Sequence, residues 1–126
     1  GIAAALDVLR SGRLHRYNLV GEEAGEVAAL EREFADYTGA RYALAVTSGG
    51  YAMATALRAL GVGPGDRVLT NAFTLAPVPG SIASVGAVPV FVGVTEALTI
   101  DLEDLAAKVD EAKVLMLSHM RRIWMR

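Results

Sequence analysis

The sequence predicts an α/β fold of three layers, in which helices cover both faces of a mainly parallel, doubly wound sheet. From residue 40 onward, runs of strand-forming residues alternate with helical patterns, and the links between them are short. Apolar residues make up 53% of the 126-residue chain and charged residues 21%, which suits a packed core and argues against disorder. We therefore expect a single domain with an N-terminal helical segment, residues 1–39, and an α/β core, residues 40–120.

Each element is predicted from its own pattern. Apolar residues at helical spacing indicate helices over 2–10 and 25–37, which Gly12 and Gly39 end. In the core, the patterns indicate strands over 42–46, 67–70, 88–94 and 114–117, and helices over 51–60, 75–85 and 102–108. The first turn of the last helix carries Asp101, Glu103 and Asp104, where the helix dipole favours negative charge.

The composition also argues against several classes of function. A net charge of −2 gives no electrostatic reason to expect nucleic acid. The sequence has no uninterrupted apolar window of about 18 residues, so we expect no membrane span. Because the chain has no cysteine, a disulfide framework and a thiolate metal site are excluded, and we expect no metal. The short apolar start lacks the pattern of a secretory leader, and we expect a cytoplasmic protein.

The segment Thr47-Ser48-Gly49-Gly50 lies between the predicted strand 42–46 and the predicted helix 51–60. A helix that begins in such a turn leaves backbone N–H groups unpaired at the positive end of its dipole, which suits a phosphate. On the residues alone, the simpler interpretation is a tight turn that needs glycine.

Seven motifs follow one another in a continuous order over about three-quarters of the chain. They are Leu30-Glu-Arg-Glu-Phe-Ala-Asp-Tyr-Thr-Gly39, Ala45-Val-Thr-Ser-Gly-Gly50, Gly63-Pro-Gly-Asp66, Asn71-Ala-Phe-Thr74, Gly86-Ala-Val-Pro-Val-Phe-Val92, Asp101-Leu-Glu-Asp-Leu105 and Leu117-Ser-His119. Together they resemble the DegT/DnrJ/StrS family of aminotransferases, fold-type I pyridoxal-phosphate enzymes that mostly aminate sugar-nucleotide or cyclitol ketones. The resemblance implies part of the large domain of such an enzyme.

The resemblance also implies a set of cofactor-binding residues. Ser48, Gly49 and Gly50 stand where the family binds the cofactor phosphate, although Gly50 replaces the usual threonine and so removes one hydroxyl contact. Leu75 stands where an aromatic ring commonly stacks on the cofactor, and its alternative role is an ordinary core leucine. His119 matches a histidine at a strand end that would lie near the cofactor, and its alternative role is structural.

Transamination needs two further groups that we do not find. The family's Schiff-base lysine comes from a later segment, whereas Lys108 and Lys113 are the only lysines here and flank a surface helix. The carboxylate that faces the pyridine nitrogen belongs where Arg126 stands, and residues 121–126 do not resemble the family. The resemblance therefore implies a truncated aminotransferase that is inactive alone and has no catalytic residues of its own.

Several explanations of this pattern remain open. A shifted reading frame or a truncated gene fits best, ahead of a deliberately shortened polypeptide and a shortened natural protein with a new role. The chief alternative function is a non-catalytic binding or assembly module that pairs with itself or with a full-length aminotransferase. A weaker alternative is an unrelated phosphate-binding α/β domain. Because exposed sheet edges and apolar patches recruit partners, we expect a homo-oligomer.

Overall fold

The chain divides into two compact units, Gly1–Ala45 and Val46–Arg126, and a computed structural model describes residues 1–17 and 25–118 of it. This division falls after residue 45, whereas the sequence pattern placed the start of the core at residue 40. His119 and the tail 121–126, both singled out from the sequence, lie outside the described residues.

The first unit contains two helices, α1 (Ile2–Ser11) and α2 (Glu26–Thr38). Gly12 and Gly39 follow them in the left-handed conformation, with φ of 69° and 70°, as the predicted helix ends require. Both helices end one residue later than predicted.

The second unit is built around a parallel sheet. Its elements are α3 (Gly49–Ala59), β1 (Arg67–Asn71), α4 (Pro77–Ser84), β2 (Val88–Val92), α5 (Leu102–Lys108), a 3₁₀ turn (Val109–Glu111) and β3 (Val114–Met116). In the described part, the sheet has three strands in the order β2-β1-β3, and Leu69 of β1 pairs with Val90 on one side and Leu115 on the other. The observed sheet confirms the predicted mainly parallel arrangement.

The core of this unit lies between the sheet and the pair α3–α4. Leu57, Val68 and Ile82, from α3, β1 and α4, are almost completely buried and belong to one cluster, against which Val114 and Met116 of β3 pack. Because β2 and β3 lie on opposite sides of β1, right-handed crossovers place α4 and α5 on opposite faces of the sheet. This is the predicted three-layer, doubly wound arrangement.

The predicted strand over residues 42–46 is wrong, because this segment is irregular. A strand exists only where its backbone pairs with a neighbouring strand, and no described segment pairs with these residues. The Ala45 N–H donates instead to the Glu31 carboxylate, at 2.8 Å.

The predicted strand over 88–94 is also too long. The Gly93 N–H donates to the Asp104 carboxylate at 2.7 Å, so the ladder ends at Val92.

Candidate functional site

Helix α3 begins at Ser48, Gly49 and Gly50, the predicted phosphate-binding turn, which is called the phosphate cup below. Ser48 is extended, with φ −157° and ψ 155°, and its hydroxyl oxygen accepts the Tyr51 N–H at 3.2 Å, so it caps the helix. Its carbonyl accepts the Ala52 N–H at 3.0 Å. The N–H groups of Gly49 and Gly50 have no acceptor in the described ranges 1–17 and 25–118. Two donors are therefore available at the positive end of an 11-residue helix.

The chain itself does not require glycine at either position. Neither Gly49 nor Gly50 has a positive φ, so the explanation from turn conformation does not hold. A Cβ atom at Gly49 would meet nothing within 4 Å, and one at Gly50 would lie 4.0 Å from Pro77 Cβ, an ordinary contact. What the glycines do provide is open access to two backbone donors.

Leu75 lies in the loop between β1 and α4, and 58% of its surface is exposed. This exposure is inconsistent with the alternative role of a core leucine. It precedes Pro77 by two residues, and Pro77 is the neighbour of Gly50. The structure therefore brings the loop that carries Leu75 and the phosphate cup to the same edge of the sheet.

At that edge, β1 and β3 are joined by an Asn71 cluster, defined as Asn71, Thr74 and Ser118. The Asn71 amide nitrogen donates to the carbonyls of Phe73, at 2.6 Å, and Ser118, at 3.1 Å. The Ser118 N–H donates to the Asn71 amide oxygen at 3.0 Å, and the hydroxyls of Thr74 and Ser118 are hydrogen-bonded. The sequence motifs contain these residues but gave them no role, because Ser118 lies 47 positions from Asn71 and 44 from Thr74.

The strand order explains why a ligand site belongs here. In a parallel sheet of order β2-β1-β3, the direction of winding changes between β1 and β3, and ligands bind outside the carboxyl ends of the strands at such a switch point. The Asn71 cluster lies at this point, since Asn71 ends β1 and Ser118 follows β3.

In the first unit, the polar residues His15 and Arg16 contact neighbouring side chains. His15 stacks on Tyr17, with ring centroids 5.1 Å apart, and Arg16 binds the Glu31 carboxylate at 2.8 Å. The Ala45 N–H and the Arg16 side chain lower the pKa of Glu31.

Both lysines are paired with carboxylates. Lys108 Nζ lies 2.7 Å from Asp104 Oδ2 and also donates to the Phe91 carbonyl. Lys113 Nζ lies 2.9 Å from Asp66 Oδ2 and also donates to the Gly61 carbonyl, while its backbone N–H binds the Arg67 carbonyl. Since Arg67 begins β1, Lys113 lies at the amino edge of the sheet, opposite the edge that carries Asn71.

Residues 1–17 and 25–118 contain no group of three or more acidic or histidine side chains that would hold a metal ion. Within the same ranges, none of the helices has the length and apolar character needed to cross a membrane.

Comparison with known proteins agrees with the parallel sheet. Residues 2–121 match the DegT/DnrJ/EryC1/StrS aminotransferase family, and the chain therefore belongs to this family. The predicted fold class, part of the large α/β domain of a pyridoxal-phosphate transferase, is confirmed.

Individual relatives are several times longer than this chain. The 3-amino-5-hydroxybenzoate synthase of Amycolatopsis mediterranei is 45% identical over 97 residues, which are 75% of this chain and 25% of the relative. The UDP-2-acetamido-2-deoxy-3-oxo-D-glucuronate aminotransferase of Pseudomonas aeruginosa is 42% identical over 69 residues, 55% of this chain and 19% of the relative.

Solved structures give the same result. An aminotransferase from Psychrobacter cryohalolentis superposes with a TM-score of 0.75 at 34% identity, over 90% of this chain and 28% of its own. A second match is a Streptococcus pneumoniae protein assigned as a sugar aminotransferase and solved in its PLP form. It superposes with a TM-score of 0.75 at 32% identity, over 92% of this chain and 28% of its own. The chain thus spans about a quarter of the length of its relatives.

Proposed function

We propose that this chain supplies the cofactor-phosphate site of a pyridoxal-phosphate aminotransferase, with the phosphate held by Ser48, Gly49 and Gly50. The whole enzyme would transfer an amino group from glutamate or glutamine to a keto sugar or keto cyclitol. Family membership supports the reaction class, and the Pseudomonas relative is named for a 3-oxo sugar nucleotide.

The observation that carries this proposal is the pair of N–H groups without a described acceptor at the start of α3. A phosphate dianion matches them in charge and in hydrogen bonding, and glycine leaves the approach open. Because Ser48 Oγ accepts the Tyr51 N–H, its own proton remains available for a phosphate oxygen. The residues present therefore fit the phosphate end of the cofactor.

When bound, pyridoxal phosphate supplies an electron sink for amino-group chemistry. The residues of this chain would bind and orient it. The phosphate cup fixes one end, and the exposed side chain of Leu75 covers a ring face by dispersion rather than by aromatic stacking. His119 is proposed to lie near the same ring.

We further propose that the 126 residues alone do not transaminate. Neither lysine is placed to hold the cofactor, since Lys108 is bound by Asp104 and Lys113 is bound by Asp66 at the opposite edge of the sheet. An ammonium paired with a carboxylate is a poor nucleophile.

The test measures binding of pyridoxamine 5′-phosphate, which has no aldehyde and cannot react with lysines, by equilibrium dialysis. Pyridoxamine, which lacks the phosphate, is the reference ligand. Gly49→Pro removes one donor without disturbing the helix, because proline is favoured at the first helical position and Ser48 is already extended. We expect Gly49→Pro to lose about tenfold in affinity for pyridoxamine 5′-phosphate, the loss of one charge-assisted hydrogen bond.

Gly49→Ala is the matched control, because it keeps the N–H and its Cβ meets nothing within 4 Å. It should bind like the unchanged chain. Equal affinity of the unchanged chain for pyridoxamine and its phosphate would contradict the proposal. A preference for nucleotides or phosphosugars would favour an unrelated phosphate site.

The second candidate function is an assembly module, and the edges of the sheet favour it. In the part of the chain that the structure describes, β2 and β3 are edge strands, and Phe91 and Leu115 on them are 46% and 39% exposed. Such edges recruit a second copy or a full-length aminotransferase.

Size-exclusion chromatography with light scattering tests this candidate. We expect self-association that Leu115→Lys weakens, whereas the control Tyr37→Lys, at an exposed position of the first unit, leaves it unchanged. A chain that stays monomeric at high concentration, and does not co-purify with a full-length relative, would exclude the assembly role.

A further inference from the structure

The hydrogen bonds of the Asn71 cluster fix the orientation of the Asn71 amide. Two carbonyl oxygens, those of Phe73 and Ser118, lie 2.6 and 3.1 Å from one amide atom, and a carbonyl can only accept. That atom is therefore the nitrogen, and the amide oxygen faces the N–H and the hydroxyl of Ser118, at 3.0 and 3.3 Å. Only 6% of Asn71 is exposed.

The direction of the hydroxyl bonds follows from this orientation. Since Ser118 Oγ donates its single proton to Asn71 Oδ1, the hydroxyl bond between Thr74 and Ser118 has Thr74 as its donor. The Thr74 hydroxyl therefore donates to Ser118 Oγ, and the Ser118 hydroxyl donates to Asn71 Oδ1, so each donor in this chain faces an acceptor. A cluster whose groups are matched in this way holds two segments together and does not itself bind a ligand.

We propose that Asn71 is a positioning residue for the ring side of the cofactor site. It joins the loop that presents Leu75 to the exit of β3, at the switch point between β1 and β3. The cluster acts through these neighbours and makes no contact with the cofactor. This role rests on the proposed function.

The arrangement separates two parts of the site. The donors of the phosphate cup are the backbone N–H groups of Gly49 and Gly50 and the Ser48 hydroxyl, and none belongs to the Asn71 cluster. Loss of the cluster should therefore weaken binding of a ligand that has a ring and leave binding of inorganic phosphate unchanged. A merely structural role would weaken both.

The experiment compares the affinities of the chain for pyridoxamine 5′-phosphate and for inorganic phosphate. Thr74→Val removes the first donor at nearly constant shape, and Asn71→Asp places carboxylate oxygens against two carbonyls. We expect each to bind pyridoxamine 5′-phosphate about tenfold more weakly and inorganic phosphate within about twofold of the unchanged chain. The conservative variant Thr74→Ser keeps the hydroxyl, and it should bind both ligands with the affinities of the unchanged chain.

The outcomes distinguish this role from the proposed function. If the chain binds pyridoxamine 5′-phosphate and Gly49→Pro weakens that binding, but Thr74→Val changes nothing or weakens both ligands equally, the role of Asn71 is wrong and the phosphate cup stands. If the unchanged chain does not bind pyridoxamine 5′-phosphate, both are wrong. Circular dichroism establishes that each variant folds. If Asn71→Asp does not fold, the affinities of Thr74→Val alone test the positioning role of Asn71.

Discussion

Thr70 is a buried polar residue of β1 whose hydroxyl has no hydrogen-bond partner among the described residues. It has no exposed surface. It lies two positions after Val68 on β1, and therefore on the same face of the sheet, the face that packs against α3 and α4. A buried hydroxyl without a partner lowers stability, because it has lost its hydrogen bonds to water.

Thr70→Val should therefore stabilise the chain by about 1 kcal/mol, since valine has the same shape and no hydroxyl. The melting temperature should rise by about 4 °C. The control Thr70→Ser keeps the hydroxyl and loses a methyl group, so it should melt below the unchanged chain. A lower melting temperature for Thr70→Val would mean that its hydroxyl does have a partner.

At the element scale, α5 shows what local sequence can predict. Its bounds, Leu102–Lys108, are those predicted, because its start is encoded within a few residues. The Asp101 carboxylate accepts the N–H groups of Glu103, at 2.9 Å, and Asp104, at 3.2 Å.

Asp101→Ala should cost about 1 kcal/mol in the free energy of unfolding, because it leaves these two N–H groups without their acceptor. Urea unfolding measures the loss. Asp101→Asn retains a capping oxygen, so its free energy of unfolding should fall by only about 0.3 kcal/mol. Equal losses for both variants would show that charge, not the cap, supports α5.

The segment 42–46 and the Asn71 cluster are two features that local sequence does not predict correctly. The composition of residues 42–46 suits a strand, but a strand also needs a partner, and Glu31 takes the Ala45 N–H instead. Ser48, Gly49, Gly50 and Leu75 could be proposed as site residues, because each lies in or beside a short motif that resembles the family. The Asn71–Ser118 pair could not, since nothing local to either residue specifies the other.

At the scale of the whole molecule, partners that the fold supplies lower the pKa of three carboxylates among residues 1–17 and 25–118. The Lys113 ammonium and the Gly63 N–H lower the pKa of Asp66, and the Gly93 N–H and Lys108 lower that of Asp104. In the first unit, the Ala45 N–H and Arg16 lower the pKa of Glu31. Each group is ionised more readily in the folded than in the unfolded chain, so each contributes stability only while it carries its charge.

We therefore expect stability to fall in acid. The contribution is fully present above the ordinary carboxyl pKa of about 4 and is lost as the pH falls through the lowered folded values. Urea midpoints measured between pH 7 and pH 2.5 should decline below about pH 4. The double variant Asp66→Asn, Asp104→Asn should show a shallower decline, and an unchanged slope would contradict this assignment.

The separation of the phosphate cup from the Asn71 cluster also sets the order in which the chain gains them during folding. The cup needs only the first turn of α3, and helices form in under about a microsecond. The Asn71–Ser118 contact closes a segment of 47 residues and must wait until β3 reaches the sheet. A chain emerging from the ribosome would thus form the first turn of α3, with the N–H groups of Gly49 and Gly50, well before Asn71 joins β1 to β3.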